Sequence, residues 1–151
     1  MLKELKVAAL RNGTVIDHLP SDQVFKVVSI VRLENYKNQI FIGYNLDSKR
    51  LGTKGIIKIS DKFLREDEIN KIALIAPAAK INIIKDYQVV EKRQPVLPDE
   101  IKEIVRCVNP MCVTNNQPVH TRFRVISDEE HVSLKCHYCE REIAREEVKL
   151  N

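Results

Sequence analysis

The feature that most constrains this chain is its set of four cysteines, all between positions 107 and 139, in two short-spaced pairs. Cys107-Val-Asn-Pro-Met-Cys112 and Cys136-His-Tyr-Cys139 are separated by 23 residues. Each pair can close one chelating turn, and two such turns supply four thiolates to a tetrahedral Zn²⁺. The first gap is looser than the usual two residues but lies within the tolerated range. Against this stand two plainer readings: small buried apolar side chains, or a redox pair at Cys136 and Cys139 that would leave the other pair unexplained. Four thiolates leave no open position for water or substrate, so the ion is expected to be structural, one per chain. His131 and His137 are expected at the surface. A β unit of about 50 residues has too little core to fold well alone, so metal binding there is also folding energy.

Charge divides the chain at the proline-marked stretch KRQPVLPDE. Residues 1 to 99 carry 17 Lys and Arg against 12 Asp and Glu, and residues 100 to 151 carry 8 against 9. The expected domains are therefore 1–98 and 99–151. Thinly spread basic charge in the first suits anionic small ligands. The cysteine-bearing part lacks the clustered Lys and Arg that phosphate backbones require, so no nucleic-acid partner is expected, although a zinc-ribbon nucleic-acid-binding protein remains the rival reading. The longest apolar stretch near the start, Val7 to Leu10, is too short for a signal sequence or a span. A cytoplasmic protein with no membrane association is expected, and such a compartment favours metal thiolates over disulfides.

Before the linker, residues 5–10 and 14–18 read as extended segments around a turn at Arg11-Asn12-Gly13. Ser21 is a candidate N-cap for a helix whose stripe is Val24, Val27, Val28 and Val31. NQIFIGYNL and KGIIKIS alternate as a hairpin around a loop at Asp47 to Arg50. REDEINKIALIAP places Ile69, Ile72, Ala73 and Ala76 on one face of a second helix that Pro77 stops, and KINIIK and YQVVEK are two further strands. The expectation is α+β: an N-terminal ferredoxin-like antiparallel sheet with two helices on one face, plus a small C-terminal all-β zinc-binding domain. The sheet's other face must be solvated, paired or used.

Asp17-His18 invites a catalytic reading, but no Ser or Cys sits in an activating motif to be served by such a pair. There is no Walker A loop or GxGxxG to cradle phosphates for hydrolysis. The chain is not expected to be an enzyme. Taken by residue type alone, Lys54, Lys58 and Lys92 are solvated strand lysines.

In order and spacing, GTVIDH, IGYNL, IKIS, INIIKDYQVVEK, the linker Leu-Pro and LKCHYCE after C-x4-C-x23-C-x2-C resemble the aspartate carbamoyltransferase regulatory chain over essentially the whole length. That resemblance implies a non-catalytic subunit of de novo pyrimidine biosynthesis. It implies an allosteric domain that binds CTP, UTP and ATP, and a zinc domain that contacts catalytic chains arranged as trimers. It also implies a homodimer through the N-terminal domains.

Carried over residue by residue, the resemblance implies an effector site of Val7, Ala9, Leu10, Asp17, His18, Lys54, Lys58, Asn82, Tyr87, Val89 and Lys92. Backbone groups of Ala9, Leu10 and Val89 would meet a base edge, Asp17 would suit ribose hydroxyls, and His18 would lie near phosphate. The implied metal ligands are Cys107, Cys112, Cys136 and Cys139, and the implied contacts to the catalytic chain are Asn109, Glu140 and Arg141. Asp86, Arg65, Met111 and Arg141 depart from the family pattern.

Overall fold

A computed structural model of the chain describes residues 9–49, 52–128 and 131–151. It divides into two compact units between Val96 and Leu97. In the first, β1 (Gly13–Leu19), α1 (Val24–Ile30), β2 (Ile40–Ser48), β3 (Gly52–Ser60), α2 (Glu66–Ile72), β4 (Lys80–Lys85) and β5 (Gln88–Arg93) follow in order. The sheet runs β2-β3-β1-β4-β5, and every pairing in it is antiparallel.

Isoleucines at every second position make one face of this sheet. Ile57 and Ile59 on β3, Ile16 on β1 and Ile81 on β4 are fully buried, and the registers pair Ile16 with both Ile57 and Ile81. The helices turn Val24, Val27, Ile30, Ile69 and Ile72 inward. Gly55 shows how closely α1 approaches: a Cβ at that position would lie 2.0 Å from Val24 Cγ2, so only glycine fits. Thr14, fully buried, donates its hydroxyl to the Lys62 carbonyl at 2.7 Å and accepts from the Leu64 amide at 3.3 Å, fastening the segment that leads into α2.

Several local expectations change. Residues 5–8 lie outside the described residues, and Ala9 and Leu10 belong to no regular element. Ser21 does not cap α1. It opens a short 3-10 turn, and its hydroxyl reaches the hairpin instead, donating to Thr53 Oγ1 at 3.3 Å and accepting from the Asn45 amide at 3.1 Å. The second helix ends at Ile72, short of Pro77, because the Ala73 and Leu74 amides already bond three residues back, to Asn70 and Lys71. At its start the Arg65 amide donates to the Glu68 carboxylate at 3.0 Å, so Glu68 does the work of the absent capping serine.

In the second unit a four-stranded antiparallel sheet runs β10-β9-β8-β6, from β6 (Glu100–Lys102), β8 (Arg122–Ser127), β9 (Val132–Cys136) and β10 (Glu142–Ala144). β7 (Val105–Arg106) pairs separately with β11 (Lys149–Leu150). Phe123, the largest fully buried side chain, stands between Ile101 and Cys136 in register, with Leu134 and Ile143 buried beside it. The core is small, and the cysteines form part of it.

Candidate functional site

The face of the first sheet away from the helices carries most of the polar residues singled out above. Lys58 pairs with Val15, Val15 with Asn82, and Asn82 with Lys92, so one row crosses β3, β1, β4 and β5. Residues directly opposite in antiparallel strands point to the same side, so both lysines and Asn82 present their side chains together. Three strand spacings separate the lysines, about 14 Å. Burial pushes the Lys58 ammonium below the usual lysine range, and Asp17 pulls the other way.

At one end of this row, β1 bulges between Ile16 and Leu19. His18 adopts a left-handed backbone (φ 59°), an uncommon conformation for a non-glycine residue. Asp17 is the hub of this end. Its carboxylate takes the Lys54 ammonium at 3.0 Å and the His18 amide at 2.7 Å, and lies 3.6 Å from His18 Nδ1. The bulge sets the imidazole beside the acid while leaving Nδ1, which is out of water, with no hydrogen-bond partner. Lys80, opposite Asp17 on β4, adds a cation that sequence reasoning missed, although its alternation with Asn82 was the available signal.

At the other end, the β4–β5 hairpin turns on Asp86 and Tyr87, both with positive φ (50° and 67°), as a two-residue primed turn requires. The Arg11 carbonyl accepts from the Tyr87 amide at 2.9 Å, and Asn12 Oδ1 accepts from the Asp86 amide at 3.1 Å. Ala9 and Leu10 therefore enter β1 next to this turn. Tyr87 and Val89 are exposed, and Val89 pairs with Ile84, which pairs with Gly13. Four residues of β1 separate Gly13 from Asp17, about 13 Å. Asp17, His18 and Lys54 are thus brought together, Lys58, Asn82 and Lys92 lie midway, and Tyr87 and Val89 lie at the far end. Val7 is outside the described residues.

In the second unit the four cysteine sulfurs all lie within 4.8 Å of one another. Cys107 to Cys139 and Cys112 to Cys136 are each 3.7 Å. Zinc–sulfur bonds of about 2.3 Å in a tetrahedron give sulfur–sulfur edges of about 3.8 Å, so this donor set fits the ion. Burial pushes the Cys107 thiol up to about 12. For Cys139, burial opposes ionisation, but hydrogen bonds from the Arg141 amide, Asn109, Cys107 and Cys136 outweigh it and bring the thiol down to about 7. Zinc bound there would supply the positive charge that holds all four as thiolates.

Both turns are tied from outside. The Asn115 amide donates to the carbonyls of Cys107 and Asn109 at 2.9 and 2.8 Å, and the Asn116 amide to those of Pro110 and Cys112 at 2.9 and 2.8 Å. Thr114 donates its hydroxyl to Cys112 Sγ at 3.2 Å. These three residues escaped sequence reading, for which Thr-Asn-Asn was only a loop. Glu140 takes the left-handed position after Cys139 (φ 64°), its amide bonding the Cys136 carbonyl, while the Arg141 carbonyl accepts from the Cys136 amide. Asn109 Oδ1 accepts from the Met111 amide at 3.0 Å. Asn109, Glu140 and Arg141 thus all belong to the two chelating turns, whose exposed tips are Met111 and Tyr138.

An α+β unit with a cation-bearing sheet face, joined to a four-cysteine unit that can hold zinc, defines a two-unit metal-binding chain of the ligand-sensing kind. Residues 5–96 match the family described as aspartate carbamoyltransferase regulatory chain, allosteric domain, and residues 99–149 match its metal-binding domain. The chain is 57% identical over 146 residues to the aspartate carbamoyltransferase regulatory chain of Bacteroides fragilis, covering 97% of this chain and 95% of that one. It is 48% identical over 152 residues to that of Pyrococcus abyssi, with 99% of both chains covered. The chain belongs to the aspartate carbamoyltransferase regulatory chain family, whose members are regulatory and not catalytic subunits.

Proposed function

We propose that the polar face of the first sheet is a nucleotide-effector site and that this chain regulates the catalytic chains of aspartate carbamoyltransferase in pyrimidine biosynthesis without catalysing a reaction itself. The observation that carries this reading is the row Lys58–Val15–Asn82–Lys92, flanked by Asp17, His18 and Lys54 at one end and by Ala9, Leu10, Tyr87 and Val89 at the other. A nucleoside triphosphate carries about three to four negative charges on an elongated frame, and spaced lysines supply charge-assisted bonds to it. The Lys54–Asp17 ion pair must open or be shared when ribose or phosphate arrives. CTP, UTP and ATP compete for one site in this account, because backbone groups at Ala9, Leu10 and Val89 discriminate bases weakly. At equilibrium, CTP and ATP should each displace the other from the isolated chain without being hydrolysed; turnover, or independent binding of both, contradicts the assignment.

Effectors act by linkage. They bind two quaternary states with different affinity and shift their populations, since equal affinity would shift nothing. Strand order and the two inward-facing helices support a ferredoxin-like first unit, with the domain boundary at 98/99. Cys107, Cys112, Cys136 and Cys139 hold structural zinc, and Asn109, Glu140 and Arg141 on their turns contact catalytic chains assembled as trimers. Such an assembly works in the cytoplasm; among the described residues, no helix is long and apolar enough to cross a membrane.

The homodimer forms through β2, at the end of the five-stranded sheet, where Phe41, Ile42 and Tyr44 are exposed. An exposed apolar edge strand is a template for pairing with a second chain. Ile42→Lys should convert the dimer to a monomer in sedimentation, and an unchanged dimer would place the contact elsewhere.

A further inference from the structure

The second unit has more acidic than basic residues, yet its cations gather on one face of its four-stranded sheet. Arg124 is paired in register with Lys135, so two like charges stand directly opposite each other. Such pairs destabilise a sheet unless something answers them. Glu100, also opposite Arg124, is engaged by the Arg122 guanidinium at 2.9 Å and the Lys102 ammonium at 3.5 Å. Among the described residues, no carboxylate lies within ion-pair distance of Arg124 or Lys135. Both line a cleft of about 190 Å³ with Arg122, His137 and Glu140.

We propose that this cleft receives acidic side chains from the catalytic chain, as a part of the docking surface that sequence reasoning did not find. The inference rests on the proposed docking of the second unit on catalytic chains. Three observations select this occupant. The cleft reaches Glu140, so it is continuous with the turns proposed to make that contact. Its two uncompensated cations call for carboxylates, and the planar guanidinium of Arg124 suits a bidentate one. Its volume admits one or two acidic side chains but falls below the range of pockets that enclose a nucleotide. Glu100 and Glu140 along its walls would repel a phosphate backbone, which sets it apart from a nucleic-acid groove.

The test reconstitutes the full chain with its catalytic subunit and measures association at several salt concentrations. Arg124→Gln and Lys135→Gln should each weaken association about tenfold or more and flatten its salt dependence, with zinc content unchanged. Carbodiimide coupling should join Lys135 to an Asp or Glu of the catalytic chain. If the wild-type chain associates and the double variant associates equally tightly, the cleft assignment fails while the docking reading stands. If the wild-type chain does not associate at all, the docking reading itself has failed. Loss of DNA or RNA binding in the double variant, with catalytic-chain association intact, would also overturn the proposal.

Discussion

Cys112→Ser is expected to empty the zinc site and unfold the second unit, abolishing association with catalytic chains while leaving nucleotide binding by the first unit in place. Cys112 is almost fully buried, takes a hydrogen bond from Thr114, and sits 3.7 Å from Cys136. A serine hydroxyl does not ionise at neutral pH and is a poor zinc ligand. The unit spans only Leu97–Asn151, and its apolar core rests on a few side chains around Phe123. Structural zinc in small modules contributes about 10–16 kcal/mol of apparent binding energy at neutral pH, far more than such a core supplies. Metal analysis and circular dichroism read the first effect, and co-sedimentation with the catalytic subunit reads the second. A variant that still assembles normally would contradict a structural role for the ion.

The second large effect falls on the sheet face. Lys58→Ala and Lys92→Ala should each weaken CTP binding by about 10- to 150-fold, the worth of a charge-assisted hydrogen bond of roughly 1.5–3 kcal/mol. The double variant should fall short of the product, because both lysines act on one ligand. Lys26→Ala, on the exposed side of α1, should bind CTP normally. Because burial lowers the Lys58 pKa, its charge is lost at a lower pH than that of an ordinary lysine. CTP affinity should therefore fade on the alkaline side, and Lys58→Arg should restore it there. Equilibrium dialysis across pH checks both, and unchanged CTP affinity in the two alanine variants would refute the assignment.

These two predictions draw on different amounts of sequence information. The cysteine spacing announces the metal unit directly, because chelating turns are local and need no knowledge of pairing. The sheet face is another matter. Alternation shows that Lys58 leaves the side on which Ile57 and Ile59 are buried, but it cannot show that Lys58, Asn82 and Lys92 share one row. That depends on the registers of three strand pairings, which are set by contacts distant in sequence. The bulge that turns His18 toward Asp17 and the hold of Arg11 and Asn12 on the β4–β5 turn are equally nonlocal.

Local rules failed where a tertiary contact outcompeted them. Ser21 has the chemistry of a cap, but its hydroxyl is taken by the β2–β3 hairpin. The second helix was expected to continue to Pro77, yet its last amides tighten to three-residue spacing after Ile72. Asn115 and Asn116 look like ordinary loop residues until their amides are seen holding four carbonyls around the first cysteine turn. The basic cleft was hidden because net charge averages over a surface: Arg124 and Lys135 meet only when β8 and β9 are in register.

The central claim is that nucleotide bound on the first sheet biases catalytic chains held by the second unit. The most direct test is the aspartate saturation curve of the complex reconstituted from catalytic subunit and this chain, recorded with and without saturating CTP. The account predicts that CTP displaces the curve with the wild-type chain and leaves it in place with the Lys58→Ala, Lys92→Ala double variant. Superimposable wild-type curves, with CTP shown to be bound, would contradict it.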